Sequence, residues 1–287
     1  PNPQSYLHLA HLIAANWTQL RTYTWSERLS ASRPHVIPSS QRAIIPRYRY
    51  QELPRLRALR RRGARYFLRT DISQFYPSLY THTIPWALHT KQNCKSELTK
   101  PGRGKHLLGN AIDQALQYMN EGQTHGIPIG PDTSLMASEI LLSAADAELL
   151  RRCSGLIRGF RYVDDYELSF STLRDAEQVL GELQGTLAAY ELILNPRKTR
   201  IEELPKALES SWGAELAKYS IRDNTHPVGQ RNDFVALFSR AFELASVFPE
   251  ESVLKYALAR VRNENVHPSS WRAFHNCVLG AVGADTS

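Results

Sequence analysis

Apolar positions along this 287-residue chain follow two periods in turn, and the change of period divides it. Residues 5–30, rich in Leu, Ala and Trp, predict a helical segment. In the stretch that follows, Pro34, Pro38 and Pro46 interrupt any helix, so extended, loop-rich structure is expected. "ARYFLRTD" (64–71) is a short aromatic and aliphatic run closed by an acid, the pattern of a buried strand. "ISQFYPSLYTHTIPWALHTK" then predicts a turn into helix, and residues 92–106 a polar, basic, exposed loop. A helix is predicted over 107–120. The Gly/Pro-rich loop "GQTHGIPIGPDTS" leads to another over 132–152, opened by Pro131 and the capping-type residues Asp132, Thr133 and Ser134.

"GLIRGFRYVDDYELSF" reads as two strands joined at adjacent acids. Leu173, Ala176, Leu180, Leu183, Leu187 and Tyr190 recur at helical spacing, and "LILN" (192–195) predicts one more strand. This order suits an α+β architecture, an antiparallel sheet with helices on one face, over residues 64–205. Residues 1–63 form an N-terminal helical and irregular part. From 206 to 287 the period is helical throughout, in three stripes: Phe234, Leu237, Phe238, Ala241, Leu244 and Ala245; Val253, Leu254, Ala257, Leu258 and Val261; Trp271, Phe274 and Val278. That texture predicts the start of an array of helical hairpins.

Charge sharpens the picture. The formal net charge is +7, and ten arginines against one acid, Glu52, lie between Arg42 and Arg69, interleaved with Tyr48, Tyr50 and Tyr66. Guanidinium groups grip phosphate in pairs of hydrogen bonds, so phosphate or nucleic-acid contact is expected there. Cys94, Cys153 and Cys277 are widely spaced, which argues against a thiolate metal site or a disulfide framework and fits a reducing compartment. His8 and His11 lack a third ligand and read as ordinary packing or surface residues. No apolar run reaches the length of a membrane span. The first residue is not methionine, and a longer parent protein is expected.

The chemistry is carried by carboxylates. Asp71 closes the first predicted strand, and Asp164 and Asp165 sit at the hairpin tip. Were the strands neighbours, three ionised groups would meet at one sheet edge, which is repulsive unless divalent cations lie between them. All-oxygen ligation suits Mg2+ or Mn2+, and two such ions serve in-line phosphoryl chemistry. Asp113, Glu139, Asp146 and Glu148 read as solvated helix charges.

In order, "FLRTDISQFYPSLY", "HGIPIGPDTSLMASEILL", "YVDD" and "LILNPRKT" resemble the palm motifs of reverse transcriptases, over roughly residues 40–205. The resemblance implies a right-hand polymerase with fingers and palm, the latter an RRM-like antiparallel sheet, followed by an all-α helical-repeat domain. It implies RNA-directed DNA synthesis from dNTPs, with Asp71, the Ile72 carbonyl, Asp164 and Asp165 at the metals and Lys198 near the triphosphate as a proton donor to pyrophosphate. Tyr76, five positions after Asp71, would exclude a ribose 2′-hydroxyl. Phe75, Ile129 and Gly130 would line the nucleotide, and Arg42, Arg47 and Arg69 would hold phosphates.

One departure stands out. Ile129 replaces the glutamine that many family members carry in the second motif, removing an amide near the nucleotide. With the helical tail, this resembles the abortive-infection and defence-associated bacterial reverse transcriptases. That likeness implies a cytoplasmic bacterial protein, homo-oligomers, an RNA template or non-coding RNA with a DNA product, and in some members protein-primed or untemplated synthesis. A catalytically silent nucleic-acid-binding scaffold stands as the alternative from another class.

Overall fold

The computed structural model describes residues 2–26, 29–98, 107–249 and 251–284. By its internal contacts the chain forms two compact units, Pro1–Lys206 and Ala207–Ser287.

In the first unit the predicted N-terminal helix is two, α1 (Pro3–Ala15) and α2 (Trp17–Ser26). Asn16 divides them: its amide donates to the Leu12 and Ile13 carbonyls and its side chain to Leu12, which closes the last turn of α1. The proline-rich stretch yields a short antiparallel ladder, β1 (Pro34–His35) with β2 (Ile45–Pro46), before α3 (Leu53–Arg60). After β3 (Tyr66–Asp71) come α4 (Phe75–Ser78), α5 (Thr83–His89) and α6 (Lys91–Leu98). The loop expected over 92–106 is therefore helical as far as Leu98, and its remainder lies outside the described residues. Helices α7 (Leu108–Met119) and α8 (Asp132–Arg152) precede the hairpin β4 (Arg158–Tyr162) and β5 (Asp165–Phe170), then α9 (Leu173–Ala188) and β6 (Arg200–Glu203).

The sheet order is β4-β5-β3-β6, every pair antiparallel. The strand expected at "LILN" reduces to one bridge, Ile72 with Leu194. Asn195 turns the chain there, accepting from the amides of Arg197 (through its side chain, 3.1 Å) and Lys198 (through its carbonyl, 3.2 Å), and Pro196 lacks an amide to pair. The fourth strand is instead Arg200–Glu203, polar because it is a sheet edge, and a search for apolar runs passes over it.

Strand alternation sends Leu68, Tyr166, Leu168 and Phe170 into the core, where α9 packs its buried stripe of Ala176, Val179, Leu183 and Leu187. Phe67, Arg69, Asp71, Asp165 and Glu167 share the opposite face. That face is not bare, as helices on one side alone would leave it: α3 buries Leu53 and Leu56 against Phe160 of β4. Helix α8 runs through the core and is buried along nearly its whole length.

The second unit consists of α10 (Ser211–Leu216), α11 (Pro227–Val247), α12 (Val253–Val261) and α13 (Trp271–Ala284). Phe234, Leu237, Phe238, Ala241, Val253, Ala257 and Val261 form its core with Trp212 and Leu216. The third stripe differs from expectation. Trp271 is 54% exposed and α13 buries only Ala281 fully, because one side of this short helix meets α11 and α12. Buried Gln230 holds the loops together, donating to the carbonyls of Arg222 (3.1 Å) and Asn265 (2.9 Å) and accepting from the His267 amide (2.9 Å).

Candidate active site

β3 and β5 are paired so that Asp71 stands directly opposite Asp165. Cross-strand partners place their Cβ atoms about 4.5–5.5 Å apart on one face. Asp164 lies in the two-residue turn that joins Tyr162 to its partner Asp165. The Ile72 amide donates to the Asp164 carbonyl (3.2 Å) and the Asn195 amide to the Asp71 carbonyl (2.9 Å), so backbone bonds lock turn and strand end together. The three acids read from the sequence thus meet at one sheet edge.

Their electrostatics are those of a crowded anionic site. Burial pushes the Asp164 carboxyl above its usual range, with repulsion from Asp71 adding to it. Asp165 opens to solvent on one side, yet protein crowds the rest. Lost hydration and then the charge of Asp164 raise its pKa to about 6, against the pull of Arg69. Asp71 is buried; its Oδ2 accepts from Lys198 Nζ at 2.8 Å, while its Oδ1 is buried without any donor. Such an orphan carboxylate oxygen is costly unless a cation meets it. Among the described residues no three His, Cys, Asp or Glu side chains form a ready metal cage. What the site offers is oxygen donors only, excess negative charge and that orphan atom, a set that fits a hard divalent cation.

The remaining expected residues are placed as follows. Tyr76 is half-buried and packed on Phe75 at 5.2 Å between ring centroids, and burial raises its pKa. Phe75 itself is a core residue, 2% exposed. The Ile72 side chain is likewise buried. Ile129 is 74% exposed beside Gly130, whose φ of +110° suits glycine. Arg42 is tied to that loop, donating to the Gly130 carbonyl and to Asp132 at 2.6 Å each. Arg47 lies over Trp25 and Tyr48. Lys198 is exposed and bonded to Asp71, at the acids rather than beyond them.

The arginine run has more than one role. Arg57 grips Glu167 with Nε (2.9 Å) and Nη2 (2.7 Å), and Arg61 adds a longer contact. Arg69 and Arg200 are exposed cross-strand partners, two like charges directly opposed two residues behind the acids on the same face. Neither makes a side-chain hydrogen bond among the described residues. Opposed like charges destabilise a sheet.

Three acids read as solvated are buried. Asp113 meets His82 Nδ1 at 2.5 Å and Gln117 at 2.8 Å. Glu139 and Asp146 are wholly buried around an equally buried Arg161. Arg161 donates to Glu139 Oε1 (2.8 Å), to Asp146 Oδ2 (2.9 Å) and to the Val163 carbonyl (2.8 Å). Ser30 and Ser32 each donate to Glu139 at 2.7 Å, and Tyr166 to Asp146 at 3.0 Å. Glu148 does lie at the surface, paired with Arg151 and Arg152. A signal for the buried set existed: Glu139 and Asp146 are two helical turns apart on one face of α8, and strand alternation turns Arg161 inward.

With this geometry in hand, comparison with known proteins defines the class. Residues 19–226 match the family model described as reverse transcriptase (RNA-dependent DNA polymerase), and the chain belongs to that family. No curated protein sequence matches. Among solved structures, apo telomerase from Candida tropicalis aligns with 97% of this chain and 52% of its own, at 12% identity and a TM-score of 0.52, a likeness of fold. A form truncated of its C-terminal domain (69% and 41%, 15% identity, TM-score 0.45) and Candida albicans telomerase in complex with a TWJ fragment of telomeric RNA (96% and 55%, 12%, 0.43) also align. The chain spans about half the length of these telomerase chains or less. No helix among the described residues is long and apolar enough to cross a membrane.

Proposed function

We propose that the protein is an RNA-directed DNA polymerase whose catalytic edge is built by Asp71, Asp164 and Asp165. The observation that carries this is the direct pairing of Asp71 with Asp165 beside the Asp164 turn, with the buried Asp71 Oδ1 left without a donor. A primer 3′-hydroxyl attacks the α-phosphorus of a dNTP, a new P–O bond forms, and the bond to pyrophosphate breaks. Magnesium or manganese, held by these carboxylates, would supply charge neutralisation at the reacting oxygens. Lys198 pairs with Asp71, and its flexible stem would let the ammonium reach the departing pyrophosphate and give it a proton. Tyr76, packed on Phe75, would exclude a ribose 2′-hydroxyl, which favours dNTPs. Arg69 and Arg200 offer paired guanidinium groups to the phosphodiesters of the strand that ends at the acids.

The bacterial antiphage reading, a cytoplasmic homo-oligomer with a helical-repeat second unit, extends this and draws on the motif resemblance. Protein-primed, untemplated synthesis is a second mode, favoured by the exposed Ile129 in place of an amide.

Incubation with dNTPs and Mg2+, with and without an RNA template and DNA primer, tests the proposal. Template-dependent extension, lost in Asp164→Asn, is expected; DNA covalently attached to protein in the nucleic-acid-free arm identifies the second mode. No incorporation in either arm with Mg2+ or Mn2+, while oligonucleotides still bind, would leave the scaffold as the reading. Phage plating on cells carrying wild type or Asp164→Asn tests the defence role.

A further inference from the structure

The turn that carries Asp164 is held in an unfavourable backbone shape. Val163, a β-branched residue, has φ +56°, a conformation that costs such a side chain heavily. A two-residue hairpin loop itself calls for φ > 0 at its first position, which glycine, asparagine or aspartate usually supplies; a valine there has to be held by its surroundings.

Two hydrogen bonds grip Val163 from the protein interior. Its amide donates to Ser32 Oγ (2.7 Å), and its carbonyl accepts from Arg161 Nη1 (2.8 Å). Both groups are anchored on one carboxylate: Glu139 Oε1 accepts from Ser32 Oγ (2.7 Å) and from Arg161 Nη1 (2.8 Å). Ser32 reaches the turn because residues 29–31 run along the free edge of β4. The Arg161 amide donates to the Leu29 carbonyl (2.9 Å), and the Ala31 amide to the Arg161 carbonyl (2.6 Å). Asp146 completes the hold on the guanidinium from two turns further along α8. Every carboxylate oxygen of Glu139 and Asp146 has a donor, so the assembly is rigid as well as buried.

We propose that Ser32, Glu139 and Arg161 are positioning residues that set the Asp164 carboxylate for a divalent cation by clamping both backbone polar groups of Val163. This rests on the polymerase reading and adds residues from an N-terminal segment and a core helix to the metal site.

The test is Mn2+ binding to nucleic-acid-free protein, followed by electron paramagnetic resonance, in wild type, Ser32→Ala, Glu139→Gln, Ser143→Ala and Asp164→Asn. Ser143 is a buried α8 hydroxyl without a hydrogen-bond partner, so its loss controls for a buried serine deletion away from the turn. Groups that orient a metal ligand typically govern metal affinity by about 10–100-fold. Ser32→Ala and Glu139→Gln are expected to weaken Mn2+ by about tenfold and to raise half-saturating Mg2+ for incorporation equally, with the KM for dNTP and the oligonucleotide Kd unchanged. Ser143→Ala should leave Mn2+ affinity alone. Wild-type Mn2+ affinity in both Ser32→Ala and Glu139→Gln, or equal weakening in Ser143→Ala, overturns the clamp while Asp164→Asn still reports the metal site. Unaltered binding in Asp164→Asn overturns the site and the clamp together. Should Ser32→Ala not fold, Glu139→Gln, which keeps its shape, decides alone.

Discussion

Two clusters of charge flank the same hairpin turn and obey opposite rules. On the core side, Arg161, Glu139 and Asp146 are fully buried, yet each carboxylate oxygen has a hydrogen-bond donor and both acids share one guanidinium. On the open edge, Asp71, Asp164 and Asp165 repel one another, their pKa values rise where a shift is resolved, and one buried oxygen has no donor. A protein gains nothing in stability from the second arrangement. Its persistence beside a fully satisfied network supports the cation site proposed there, with the first cluster as its frame.

The comparison breaks most sharply with single substitutions on either side. Asp164→Asn should cut Mg2+-dependent incorporation at least about a thousandfold, since several kcal/mol of charge stabilisation is lost. It should also raise the unfolding temperature of metal-free protein, by about 2–4 °C for each kcal/mol of repulsion relieved. A lowered midpoint would show that the acids are not in conflict. Arg161→Met should do the reverse to stability, costing about 3–5 kcal/mol in denaturant unfolding of the first unit because two buried acids lose their cation. A cost below 1 kcal/mol would mean water or protonation replaces the guanidinium.

The pH dependence sharpens the contrast. Folding raises the Asp165 pKa to about 6 from an unfolded value of about 3.9. Its protonated form is therefore favoured in the fold. It adds stability that is full below about pH 4 and lost as pH rises through 6. The difference in stability between wild type and Asp165→Asn should follow that course without metal, while Mn2+ affinity should fall as acidification through pH 6 protonates the ligand. Flat curves from pH 4 to 8 would contradict the raised value. The smallest effect is expected at the arginine pair. Arg69→Ala and Arg200→Ala should each lower the slope of log Kd against log salt by about one for a bound oligonucleotide, with unfolding unchanged or slightly improved. An unchanged slope in both would remove the pair from the strand path.

Local pattern carried the sheet's central strands, the hairpin, α8, α9 and the helical texture of the second unit, because each presents the period of its own element. It also carried the acid trio, since aspartates inside apolar strands are conspicuous by composition alone. That Phe75 is buried in the core was not legible, because a turn's direction is not written in residue type. Strand β6 was missed because an edge strand has little apolar signal. Glu139 and Asp146 looked solvated because a charge on a helix is silent about whether a guanidinium from a strand will meet it. Residues thus determined which groups exist and on which faces they stand. Only the packed fold decided which charges find partners and which do not, since pairing depends on separations between elements that are remote in the chain, and it is the unpaired ones that define the site.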